Sequence, residues 1–142
     1  MDYDLDNLIF SKIWEDETTF ELQIEVHSQY VHAHQSCYFN EELLNRLASF
    51  LTGFCKPDNS TTYFETGYKS GKYIPAFSLA LSTDKQGHVT MEVDLEICDV
   101  DDRSHRCQCN VRCELGALER FGKRLTKLNE GEIGTRIALY ET

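Results

Sequence analysis

Three groups of side chains could carry chemistry. The first is Cys107-x-Cys109-x-x-x-Cys113. On a strand these thiols share one face, and three thiols could begin a zinc site, which needs four ligands in tetrahedral array. The spacing opposes this. Same-face residues of a strand lie about 7 Å apart, too far for adjacent ligands of one ion. There is no C-x-x-C knuckle in the chain. Free cysteine behaves as a small hydrophobe, so core packing is the expected role of this group.

The second group is His32-x-His34, with His27 on the same face and Glu25 expected across from His32. Two imidazoles and a carboxylate can hold zinc or another divalent ion. The competing reading is a solvated polar sheet face. No third ligand stands at a fixed spacing, and His27 is the best candidate. No metal and no cofactor is therefore expected, and a metal-binding protein or metalloenzyme on these histidines is kept as the alternative.

The third group is acidic: Glu92, Asp94 and Glu96, continued by Asp99, Asp101 and Asp102. Residues 84–102 carry a local charge of −6. A calcium loop starting at Asp99 fails, because Ser104 falls where an EF-hand requires glycine and Asn110 where it requires the closing glutamate. Alternating carboxylates on an exposed strand do not by themselves make a glycosidase pair. A patch of one sign can steer a partner of the other sign, so these six residues are the expected partner-binding surface. Phosphate-loop, dinucleotide, nucleophile-elbow and H-E-x-x-H patterns are all absent, so no enzyme activity is expected.

The elements that must position these groups read as follows. Residues 7–14 alternate loosely. Residues 18–27 alternate cleanly, with Phe20, Leu22, Ile24 and Val26 on one face. Residues 30–39 follow across a Ser28-Gln29 turn, which sets Val26 opposite Val31 and Glu25 opposite His32. Asn40 is an N-cap for a helix running to about residue 54, with Phe39 and Leu44 as its hydrophobic staple. A short strand is expected near 61–65, and Gly67, Gly71, Tyr68 and Tyr73 suggest a flexible excursion.

Strands then alternate through residues 76–82 and 89–97. A Lys85-Gln86-Gly87 loop with Gly87 in the left-handed region pairs Leu81 with Met91, Leu79 with Val93 and Phe77 with Leu95. A one-residue slip would set Leu79 against Glu92, so parity selects this register. A strand over 105–113 puts Glu96 opposite Arg106 and Glu92 opposite Asn110. A second helix over 115–128 and a last strand over 134–141 complete the order. Helices separated by runs of strands predict an α+β fold: one mostly antiparallel meander of six to seven strands, with both helices on one face and no repeat.

The 142 residues suit one domain, residues 1–142, which buries about 70% of its unfolded surface. The net charge of −10 repels a phosphate backbone, so nucleic acid is not an expected partner. The N-terminal Met1-Asp2-Tyr3-Asp4 lacks a basic region and an apolar run, and no stretch is long enough to span a bilayer. A cytoplasmic protein with reduced thiols is expected.

The run Gly87-His88-Val89-Thr90-Met91-Glu92-Val93-Asp94-Leu95, then a strand, then Glu114-Leu115-Gly116-Ala117-Leu118-Glu119-Arg120-Phe121, resembles a group of small bacterial domains of uncharacterised function. Some of these are similar to immunity proteins of polymorphic or contact-dependent toxin systems. The resemblance spans residues 18–128 in layout and transfers no functional residue. It implies a cytosolic protein that binds a toxin, a basic one given the acidic surface, and blocks it. A structural homo-oligomer, such as a homodimer, pairing through an exposed sheet face or edge is the remaining expectation.

Overall fold

The computed structural model describes residues 6–67, 75–99 and 101–141. The suggested excursion at Tyr68, Gly71 and Tyr73 lies outside these residues. The described elements are β1 (Asn7–Glu15), β2 (Phe20–His27), β3 (His32–Phe39), α1 (Glu41–Phe54), β4 (Tyr63–Thr66), β5 (Ala76–Thr83), β6 (His88–Cys98), β7 (Ser104–Glu114), α2 (Leu115–Leu125) and β8 (Arg136–Ala138). Their order is the one the alternation predicts. The protein is α+β and its sheet pairings are antiparallel.

The strands do not form one meander. They form two four-stranded sheets, which we call A (β3-β2-β1-β8) and B (β4-β5-β6-β7). Each sheet holds a three-strand meander with a fourth strand beside the meander's first. Each helix carries the chain across to the other sheet: α1 leads from β3 to β4, and α2 from β7 to β8. The two halves thus repeat one topology and exchange their fourth strands, although no repeat is visible in the side chains.

One core unites the parts. Phe10 of β1 is fully buried. Its ring meets Phe77 of β5 at 5.7 Å, Phe121 of α2 at 5.9 Å and Phe39 of β3 at 6.4 Å, all edge-on. Such a ring contributes roughly 1.5–3 kcal/mol by burial, and edge-on geometry adds to it. The helices approach closely where Gly122 of α2 faces Ala48, Leu51 and Thr52 of α1. A second tie is polar. Gln35 of β3 points inward and its Nε2 donates to the carbonyls of Ala76 (2.8 Å) and Glu96 (3.2 Å), joining the two sheets.

Local signals hold in detail. Asn40 Oδ1 accepts from Leu43 N at 2.8 Å, closing the N-terminus of α1, and the staple residues Phe39 and Leu44 are both buried. Gly131 N donates to Lys127 O at the end of the second helical segment. That segment tightens into a 3-10 turn at Thr126–Leu128, so the α-helix is shorter than its apolar stripe. β8 is likewise shorter than expected. Lys12 is a buried lysine that alternation did not flag. Its Nζ donates to Gly131 O at 2.9 Å, pairs with Glu15 at 2.9 Å and sits over the Phe20 ring.

The β5–β6 and β6–β7 registers are as derived, with Gly87 at φ +85°. The β2–β3 register differs. Val26 faces Ala33 and His27 faces His32. The turn holds four residues, because Ser28 N donates to Val31 O and Ser28 Oγ accepts from Val31 N. A two-residue shift preserves parity, so every face was right while every partner was wrong.

Candidate functional site

The outer face of sheet B carries the acidic stripe. β6 presents Glu92, Asp94 and Glu96 there, β7 presents Arg106, Gln108 and Asn110, and β4 adds Glu65 opposite Ser78. Glu65 lies in the short strand expected near 61–65.

The stripe is not uniformly solvated. Asp94 is only 4% exposed. It binds Arg106 at two points, Nε to Oδ1 at 3.1 Å and Nη2 to Oδ2 at 2.7 Å. This corrects the expectation of a solvated row. Arg106 stands opposite Glu96 but reaches diagonally to Asp94, which raises the guanidinium's pKa by hydrogen bonding and charge. Glu92 is exposed and accepts from Gln108 Nε2 at 2.8 Å. Glu96 is half-buried.

The following loop is a tied turn. Asp99 Oδ1 accepts from the backbone N–H of Asp101 (2.9 Å) and Arg103 (3.1 Å), and Oδ2 accepts from His105 Nε2 (2.9 Å). The His105 hydrogen bond leads the causes that hold the Asp99 carboxyl below its usual range. Asp101 pairs with Arg103 at 3.3 Å. Asp102 adopts φ +61°, a left-handed conformation that aspartate tolerates better than most residues. The same device opens other hairpins. Asp84 accepts from Gln86 N and His88 N, and Asp16 from Thr18 N and Thr19 N. Asp99 therefore has a structural job in addition to its charge.

A second acidic region flanks α1. A cleft of about 1000 Å³ there is lined by Glu17, Glu41, Glu42 and Arg46 over Phe50 and Phe64, whose rings lie 5.7 Å apart.

The histidines lie on the outer face of sheet A. His27 and His32 meet edge-on at 4.4 Å, and His34 stands across from Glu25, not His32 from Glu25. Among the described residues no three histidine, cysteine or acidic side chains converge as a metal site requires. The cysteines of β7 face inward, as expected. Cys113 is buried, while Cys107 and Cys109 are half-buried. Burial pushes the thiols of Cys37 and Cys113 up to about 12 and that of Cys109 to about 11, so they stay protonated and unreactive.

One feature escaped the sequence. A bulge between Lys12 and Trp14 turns Trp14 onto the outer face of sheet A, beside Glu21 and within 6.3 Å of Tyr38. Both rings are about half exposed, at 42% and 56%. Alternation could not place Trp14, because a bulge resets parity.

No family model, no curated protein and no solved structure matches this chain. No helix among the described residues is long and apolar enough to cross a membrane.

Proposed function

We propose that this chain is a protein-binding domain whose partner is basic, acting in the manner of an immunity protein that masks a cognate toxin. One observation carries it. On the outer face of sheet B, Arg106 lies in the field of Glu92 and Glu96, yet its guanidinium is bound to Asp94. Glu92, Glu96 and Glu65 thereby keep charge to offer. The carboxylates around the α1 cleft and the net charge of −10 support the same sign of partner. Asp101 and Asp102 extend the surface, Asp99 shapes it and Asp94 organises it. A field of this kind speeds and orients association more than it tightens it.

The experiment is affinity capture from the native cell, followed by binding of the captured protein to a Glu65→Gln, Glu92→Gln, Glu96→Gln variant. A basic protein that binds the variant more slowly, and with weaker salt dependence, supports the proposal. Capture of no basic protein, or unchanged binding by the variant, overturns it. Asp94 is left intact because its loss would disturb the fold.

A further inference from the structure

Sheet edges expose unpaired backbone groups and invite another strand, so proteins shorten, charge or cover them. Three of the four edges here are treated this way. β4 has four residues and carries Glu65. β8 has three, and Arg124 Nη2 donates to Ala138 O at 2.8 Å. β7 is long, but it carries Arg106, Arg112 and Glu114, and Asp6 Oδ2 accepts from Arg112 N at 2.9 Å and Tyr140 Oη from Glu114 N at 3.2 Å, which occupies the C-terminal end of its outer edge.

β3 differs. Its eight residues, His-Ala-His-Gln-Ser-Cys-Tyr-Phe, contain no proline, lysine, arginine or acid. It forms the edge of sheet A, and among the described residues no side chain hydrogen-bonds to its backbone. Its own Tyr38 ring is exposed and meets the exposed Trp14 ring of β1 across β2; both are residue types that anchor protein interfaces.

We infer that β3 is a homodimerisation edge: a second copy of this chain pairs antiparallel to it, joining the two A sheets into one eight-stranded sheet about a dyad at Ser36. The occupant is a second copy because β3 is uncharged in a chain of net −10, so self-pairing sets no ionised side chain against its like. The dyad follows from parity. A perpendicular two-fold axis pairs residues on the same face, so partner numbers must sum to an even value. Centring on Ser36 sets the small serine against itself. It sets His34 against the other copy's Tyr38 and Ala33 against its Phe39, so one His–Tyr pair flanks the axis on each side. Pairing of this kind engages sheet A and does not involve the acidic face of sheet B.

The test is sedimentation equilibrium of the whole chain from about 1 µM to 1 mM, a range that spans weak and moderate dimers, at low and high salt. A monomer–dimer equilibrium is expected, and salt should strengthen it by screening two acidic bodies. The charge-driven partner proposed above has the opposite salt response, so the two fail separately. Ser36→Lys and Ser36→Asp each place like charges together at the dyad, and each should weaken dimerisation at least about tenfold with melting unchanged. Mixing the two variants should restore the dimer, which a misfolded variant could not do. A wild-type monomer at every concentration overturns the inference. So does a dimer that persists in both variants, or a mixture that fails to reassociate.

Discussion

Asp94 and Arg106 are bound at two points across the outer face of sheet B, the carboxylate nearly buried and the guanidinium half exposed. A buried carboxylate that loses its charge loses its charge-assisted bonds while its site stays polar. Asp94→Asn should cost about 1–3 kcal/mol of stability. Glu92→Gln, two residues away and exposed, should cost about 0.5 kcal/mol or less. Urea denaturation of both variants checks the contrast, and equal losses would mean that Asp94 is not the structural member of the stripe.

The hairpin turns predict an acid limb. Backbone N–H groups of His88 for Asp84, and the ring of His105 for Asp99, hold these carboxyls below their usual range. A carboxyl whose folded pKa is depressed gives its full stabilisation above its unfolded pKa, about 3.9, and loses it as pH falls through the folded value. Thermal midpoints should therefore drop below about pH 4. Asp84→Asn and Asp99→Asn should each flatten that drop. Melting curves between about pH 2 and pH 6 decide it.

Gly122 sets how closely the helices meet. A Cβ there would lie 2.9 Å from Thr52 Cγ2 and 3.0 Å from Leu51 Cβ. Gly122→Val should destabilise the fold by about 1–3 kcal/mol through overpacking. Gly131→Ala, whose Cβ would press instead on the half-buried Thr135 side chain and the Lys127 carbonyl, should leave the α1–α2 contact intact. Chemical denaturation with near-UV circular dichroism reads both effects.

Thiol chemistry offers a fourth check. With the Cys37, Cys109 and Cys113 thiols pushed up by burial, a thiol reagent at pH 8 should label them only after unfolding. Mass spectrometry of the natively labelled chain locates the sites. Rapid native labelling of Cys113 would contradict its place in the core.

Alternation carries face, and face was legible almost everywhere. The β5–β6 register followed from it, because an apolar residue opposite a carboxylate is costly. Layer was not legible. Nothing in the side chains of β3 or β8 states that, among the described strands, the first pairs only with β2 while the second returns to β1, because that adjacency depends on where the helices take the chain. The stripe was legible in position but not in role: Glu92, Asp94 and Glu96 share one parity, and only the diagonal reach of Arg106 separates them. The register had already placed Arg106 opposite Glu96, one same-face step from Asp94, so that signal was present. Trp14 had no such signal, since the bulge before it breaks the alternation.

The strand exchange has a kinetic side. Sheet B is drawn from one continuous stretch, β4 to β7, and closes through neighbouring hairpins. Sheet A is sealed when β8 reaches β1, tied by a hydrogen bond from Asn7 Nδ2 to Tyr140 O, 133 residues away in sequence. Loop closure over such a span is slow compared with hairpin formation. On the ribosome, β1 to β3 emerge before sheet B and wait for β8 as their last neighbour. This topology predicts that sheet B forms early and that sheet A closes only once β8 has left the tunnel.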